Sequence, residues 1–199
     1  MPPVEPRPAA SVIPLRRGDK HGARGLEVLL LRRSDKASFM PGVWVFPGGA
    51  VDPADGAGEG GFEACARREL AEEAAIELRE DDELVPYSHW ITPEEVPVRF
   101  DTRFFLALVP PHSRPRPDGR ETIEAAWWEP RRALAAQRDE RLPLVFPTIK
   151  QLESLLPYSG SSEALEAARG RRIEPVLPRV IGKGEAQRIV LPGEPGYES

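Results

Sequence analysis

The sequence predicts an α+β fold, a mixed β-sheet carrying a few well-separated helices. Two observations carry this. Short apolar runs bounded by Gly, Pro and Asp dominate, as in LEVLLL at 26–31, and the clearest helical stretch, 62–76, stands among them. Strands and helices also fail to alternate as a doubly wound sheet would require.

In chain order, residues 1–10 are proline-rich and expected as a loose arm. Val12 to Leu15 and Leu26 to Arg33 read as strands, the second apolar enough to be buried on both faces. The polar segment RRGDKHGARG joins them as a turn. A short apolar run, Val43 to Phe46, ends at Pro47-Gly48-Gly49, and AVDPADGAGEGG at 50–61 is a loop. Phe62 to Ile76 lacks Pro and Gly and is rich in Ala, Glu, Arg and Leu, so it should be a helix. Leu84 to Thr92, Arg103 to Val109 and Ile123 to Trp128 are further strands, with PPHSRPRPDGR at 110–120 as a surface loop. Short helices are expected at Arg131–Ala136, Thr148–Leu156 and Ser161–Arg169, the second opened by a Thr148/Gln151 capping box. From Arg171 two short strands flank Gly182-Lys183-Gly184. The chain thus divides into an arm at 1–10, a folded domain at 11–170, and a C-terminal arm at 171–199 built as a β-hairpin extension. That arm would pair with a second copy, giving a homodimer, or fold over the site.

The 199 residues carry a net charge of −5 with a pI near 5.4, which argues against nucleic acid or an anionic membrane as partner. A small anionic substrate needs only a local patch. One cysteine, Cys65, excludes an internal disulfide and is expected as a packing residue. Apolar runs fall far short of the ~20 residues that span a bilayer. The early Glu5 and the prolines do not suit a signal peptide, so a cytoplasmic location is expected.

The chemistry concentrates at Arg68-Glu69-Leu70-Ala71-Glu72-Glu73. On a helix Glu69, Glu72 and Glu73 fall within an arc of about 100°, where like charges repel. A solvated acidic face is one reading; a divalent cation held by hard oxygen ligands is the other. The preceding Gly-Gly turn would let backbone approach a ligand closely. Strand, Gly-Gly turn, loop and carboxylate helix together resemble the Nudix box of the Nudix hydrolases, G-x5-E-x7-R-E-U-x-E-E-x-G-U with U bulky aliphatic. Two departures stand out. Gly49 to Arg68 is five residues longer than that spacing, and counting back from Arg68 places Gly60 at the acidic position, leaving Glu59 or Glu63 as substitutes. The late glycine is Ala75, which a positive φ would strain by about 1 kcal/mol.

A narrower stretch, Arg32-Arg33-Ser34, Phe39-Met40-Pro41-Gly42 and FPGGAVD at 46–52, is similar to the motif of coenzyme A-cleaving Nudix enzymes, with Ser38 where an arginine is usual. Phe100 to Phe105 adds to a likeness to the peroxisomal coenzyme A diphosphatase type. The resemblance implies a Nudix α/β/α sandwich and Mg²⁺- or Mn²⁺-dependent hydrolysis of a nucleoside diphosphate linked to a group X. Coenzyme A or acyl-CoA leads as substrate; ADP-ribose or nucleoside triphosphates are alternatives, and a non-catalytic nucleotide-sensing module is the rival of another class.

It further implies metal ligation by Glu69, Glu72, Glu73 and the Gly48 carbonyl, with Glu69 also helping to deprotonate water. Glu121 or Glu124 would be a further acidic catalytic group. Arg33 is a candidate for substrate phosphate. Arg68 would touch substrate or anchor helix and loop through carboxylates. His21, His89 and His112 lack metal-ligand spacing. Of Trp127 and Trp128, which alternate faces on a strand, one should enter the core and the other is a candidate for stacking on a base.

Overall fold

The computed structural model describes residues 4–17, 25–37, 39–182, 184 and 187–198. Most of the turn expected at 16–25, with His21, and also Ser38 and Lys183, lie outside the described residues.

A mixed sheet forms the centre. Strand β1 (Arg7–Arg17) runs parallel to β6 (Phe100–Leu108), and β2 (Leu26–Arg33) lies antiparallel to the C-terminal half of β1. The N-terminal half of β1 instead pairs with β4 (Gly48–Ala50), in the register Ala9↔Ala50 and Ser11↔Gly48. Beyond β2 come β3 (Trp44–Val45) and β7 (Thr122–Trp128); beyond β6 come β5 (Val85–Ile91) and β8 (Pro175–Val176).

The strand β1 begins well before Val12, which corrects the expectation of a loose arm through residue 10: Ala9 and Ala10 are buried. The prolines misled. Pro8 has no N–H to give, but its carbonyl accepts from Val51 N at 2.9 Å on the β4 side while β6 lies along its other side, so the segment is held within the sheet.

Both faces of the sheet are covered, because the strands alternate between two apolar cores. Ile13, Leu15, Val28, Leu30 and Leu106 enter one core, against α2 (Pro130–Arg138), α3 (Phe146–Leu155) and α4 (Ser161–Ala168). Val12, Leu29, Leu31, Phe105 and Ala107 enter the other, against Cys65, Ala66, Leu70 and Ala74 of α1 (Gly58–Ala74). This is a three-layer α/β/α arrangement. Trp128 packs against the first core and Trp127 against the second, and the Arg16 guanidinium lies 4.3 Å from the Trp127 ring centroid. Both indoles are half-buried against the cores, and neither lines the groove beside Gly48 and Gly49.

Helix α1 starts four residues earlier than Phe62, at Gly58, after a short 3₁₀ turn at Pro53–Asp55. It stops at Ala75, whose φ of +52° is left-handed, the conformation the late glycine of the motif would favour. Helix α3 does not use the expected capping box. Its N-cap is Val145, and Thr148 and Gln151 are buried inside the helix, with Gln151 Nε2 donating to Ser88 Oγ at 2.6 Å.

After α4 the chain adds β8 parallel to β5, then pairs β9 (Arg179–Ile181) antiparallel with β10 (Arg188–Val190). Among the described residues no helix is long and apolar enough to cross a membrane.

Candidate active site

The site is built where β4 meets α1. Ser11 Oγ and Val12 N both donate to the Pro47 carbonyl, at 2.8 and 3.0 Å, and press the Gly48-Gly49 turn onto β1. The fit excludes a side chain at either glycine. A Cβ on Gly48 would lie 2.5 Å from the Ala10 carbonyl oxygen, and one on Gly49 would lie 2.3 Å from Glu69 Oε1. Close approach, not a special φ, is what these glycines provide.

Arg68 organises the acids around it. Its Nε and Nη2 donate to the two Asp55 carboxylate oxygens, each at 2.9 Å. Nη1 donates to Glu69 at 2.8 Å and to Glu72 at 3.1 Å, and Nη2 also reaches the Ala50 carbonyl at 3.3 Å. Of the two roles considered for Arg68, the geometry is that of the anchor between helix and loop, not of a substrate contact. Neither Glu59 nor Glu63 supplies the missing acid. Glu59 faces Arg103 at 3.8 Å, and the partner of Arg68 is Asp55. Counting forward from Gly49 by the motif's own spacing lands on Asp55, so the extra residues fall between it and Arg68.

Glu73 is 4% exposed, and its Oε2 accepts from Gly48 N at 3.0 Å. Burial pushes its carboxyl up to about 8; the Gly48 N–H and Arg33 pull it down, while Glu69 and Glu121 push it further up. Burial also raises Glu69, against the opposing bonds from Arg68. Glu72 is 60% exposed on its side chain and points to Arg68.

The donor chemistry suits a hard cation: carboxylate oxygens beside a buried acid whose charge lacks a neutralising partner. As arranged, however, no three His, Cys, Asp or Glu side chains among the described residues are gathered into one coordination set. Glu69 and Glu72 are drawn to Arg68 and Glu73 to Gly48 N, the positive groups within reach. Gly48 meets the helix through its N–H, which donates to Glu73.

The structure separates the two later glutamates. Glu121 lines a groove of about 490 Å³ together with Glu69, Arg68, Gly48, Gly49 and Arg33. Glu124 does not: it pairs with Arg32 Nη1 at 3.0 Å on the exposed β2–β7 ladder. Glu121 is placed by residues that the sequence reading missed. Asp118 Oδ1 accepts from the backbone N–H of Arg120, Glu121 and Thr122, and Thr122 Oγ1 donates to the Glu73 carbonyl at 3.0 Å. The Asp-Gly pair in the preceding loop was the available signal for this side-chain-stabilised turn.

Arg33 Nε donates to the Phe39 carbonyl at 3.1 Å, which holds the 39–42 turn against β2. Arg33, Phe39, Val45, Phe100 and Thr102 line both this groove and a second, apolar chamber of about 500 Å³. Cys65 is fully buried beneath the turn, and burial drives its thiol up to about 11, so it is a packing residue and no nucleophile. His89 is buried with Nε2 2.5 Å from Asp101 Oδ1, and His112 is exposed.

The sequence and the fold both have counterparts among known proteins. A Caenorhabditis elegans protein named "Putative nudix hydrolase 7" is 29% identical over 162 residues, which span 64% of this chain and 55% of that protein. The chain thus spans just over half the length of this curated relative. A NUDIX hydrolase from Alicyclobacillus acidocaldarius superposes with a TM-score of 0.73 at 28% identity, over 82% of this chain and 96% of that one. The NUDIX domain of Shewanella oneidensis NrtR, solved with ADP ribose, shares the fold at a TM-score of 0.56 and 19% identity, over 77% and 88% of the two chains. The family model for the NUDIX domain matches residues 5–148, from the start of β1 through the glycine turn, the carboxylate helix and the Glu121 strand. With its latch of Arg68 on Asp55 and its acids ranged along Gly48-Gly49, the chain belongs to the NUDIX domain family.

Proposed function

We propose that this chain hydrolyses a diphosphate bond in a nucleoside diphosphate linked to X, with coenzyme A or acyl-CoA as the leading substrate. The observation that carries the reading is the groove itself. Glu69 and Glu121 line it on either side of Gly48-Gly49 with Arg33 beside them, and Glu73 lies buried behind the turn on Gly48 N, so acid groups are concentrated where a polyanion and its counter-ion would meet. A nucleotide sensor has no use for a buried acid, Glu73, and a half-buried one, Glu69, held beside the exposed carboxylate of Glu121. The preference for coenzyme A rests on the Arg33-Ser34 and FPGGAVD sequences, which frame that groove.

Mg²⁺ or Mn²⁺ is the cofactor we propose, held by Glu69, Glu72 and Glu73 with the Gly48 carbonyl; when bound it supplies Lewis acidity and lowers the pKa of a coordinated water. The chain's own contribution is positional. Arg68 fixes Glu69 relative to the loop through Asp55. The Gly48 N–H keeps the Glu73 carboxylate turned to the turn. Glu121, aimed by Asp118 into the groove beside Glu69, is the candidate base. Arg33 is placed to meet a phosphate oxygen. A reducing, cytoplasmic setting suits the single free thiol of Cys65.

The test is a turnover screen with Mg²⁺ or Mn²⁺ over coenzyme A, acyl-CoAs, ADP-ribose, dinucleotides and nucleoside triphosphates. 4′-Phosphopantetheine and 3′,5′-ADP are the expected products. Cleavage of ADP-ribose alone would replace coenzyme A as substrate, and no turnover of any diphosphate would return the chain to a binding role.

A further inference from the structure

The acid groove occupies one end of a longer cleft. Behind Arg33 the same cleft opens into the apolar chamber, walled by Trp90, Phe100, Phe104 and Phe146. The wall is firm: Trp90 meets Phe146 edge-on with centroids 6.1 Å apart, and Phe39 packs on Phe100 at 6.2 Å. The far wall comes from the C-terminal arm, through Val180 and Ile189. These two are cross-strand partners in the β9–β10 hairpin, so they present a single apolar pair. Ile189 is 38% exposed and Met40, on the 39–42 turn, is 43% exposed, although both line the chamber. Met40 also carries a left-handed φ of +49°, a strained backbone of the kind found at binding sites.

The chamber is poorly suited to a nucleobase. Among the described residues its side chains with N–H or O–H groups are Arg33, Trp90, Thr92 and Thr102. The Arg33 Nε is spent on the Phe39 carbonyl and Thr92 Oγ1 accepts from Phe100 N, so the ring nitrogens and exocyclic groups of a base would be buried with few partners. An aliphatic chain incurs no such cost. At about 500 Å³ the space is of ligand size, and the five residues it shares with the acid groove join the two, so that a pantetheine arm would cross this shared rim from the diphosphate and its acyl chain lie farther in, toward Val180 and Ile189.

We propose that this chamber seats the aliphatic part of X, and that the Val180–Ile189 pair, with Met40 on the rim, sets how much aliphatic bulk the protein accepts. The inference rests on the diphosphatase reading and deepens it: the C-terminal arm is a specificity element. Substrates bearing an acyl chain are then preferred over the same nucleotide without one.

Two measurements on the full chain test this. Calorimetric binding, free of any need for turnover, compares coenzyme A, acetyl-, octanoyl- and palmitoyl-CoA and ADP-ribose. Octanoyl-CoA should bind about tenfold or more tighter than coenzyme A, as several buried methylenes demand. In steady-state kinetics with Mg²⁺, the octanoyl-to-unacylated ratio of kcat/KM should exceed one in the wild type and collapse toward one in Val180→Asp and Ile189→Asp. Val180→Trp, which narrows the chamber without adding charge, should shift the preference to shorter chains. Affinity that ignores chain length, tightest binding by ADP-ribose, or an equal fall on every substrate in the hairpin variants would overturn the proposal. Chain-dependent binding without any hydrolysis would instead sink the diphosphatase reading and leave the chamber assignment standing.

Discussion

The guanidinium of Arg68 grips Asp55 through two parallel bonds of 2.9 Å, and Asp55 is 5% exposed on its side chain. This bidentate pair spans the whole insertion in the glycine-rich loop and fixes the point from which α1 presents its acids. Asp55→Ala should therefore cost about 2 kcal/mol in urea unfolding and lower kcat on the order of tenfold or more through misplacement of Glu69. A double-mutant cycle with Arg68→Ala should return a coupling of about 1–3 kcal/mol. The bonds from Arg68 hold the Asp55 carboxyl below its ordinary value of 3.8. Its contribution is complete above that value and disappears as pH falls through the lower folded one. A coupling that persists undiminished in acid would contradict the assignment.

Glu73 behaves in the opposite sense. With burial raising its carboxyl from 4.5 to about 8, the folded state holds the proton more tightly than the unfolded one. The associated stability is fully present below pH 4.5 and is lost as pH rises through about 8. Glu73→Gln removes that loss. With chelator present, the variant should gain thermal stability over wild type progressively between pH 5 and pH 8, while its turnover with Mg²⁺ falls roughly 100-fold or more. Parallel pH–stability curves for the two proteins would show that Glu73 is not the buried acid described.

Much of this was legible beforehand, for identifiable reasons. LEVLLL at 26–31 announced a strand buried on both faces, and Leu29 and Leu30 do enter opposite cores. The helical repeat placed Glu69 and Glu73 together because periodicity is a local property. Partnerships set by the tertiary fold were hidden. Nothing local distinguishes Glu121 from Glu124; they part only because a bulge between Arg32 and Arg33 shifts the β2–β7 register and an Asp118 turn re-aims the strand's first residues. Arg7–Ala10 read as a proline-rich arm because their pairing lies with Phe100–Arg103 and Gly48–Ala50, far away in the chain.

The same separation gives a third test. Glu121→Gln should reduce kcat roughly 100-fold if Glu121 is the base. Glu124→Gln loses only a half-exposed ion pair with Arg32, worth under about 1 kcal/mol, and should leave turnover near wild type. Asp118→Ala should fall between them, since it frees the turn but keeps the Glu121 carboxylate. Equal losses in Glu121→Gln and Glu124→Gln would mean that neither is singled out by the fold.

Ala75 offers a test that touches no acid. It closes α1 in the left-handed region at φ +52°, with its N–H donating to the Ala71 carbonyl at 3.0 Å and Ile76 N reaching Leu70 O at 3.4 Å. The carbonyls at the helix end are thus satisfied, but only by holding a Cβ where glycine alone sits without strain. Ala75→Gly relieves that strain and also loosens the unfolded chain, and the first effect is the larger at a positive φ. The net gain should be about 0.5–1 kcal/mol in equilibrium unfolding, with kcat unchanged because Glu73 keeps its bond to Gly48 N. A loss of stability instead would show that Ala75 packs against the Ile76 side of the core tightly enough for its methyl to outweigh the backbone strain.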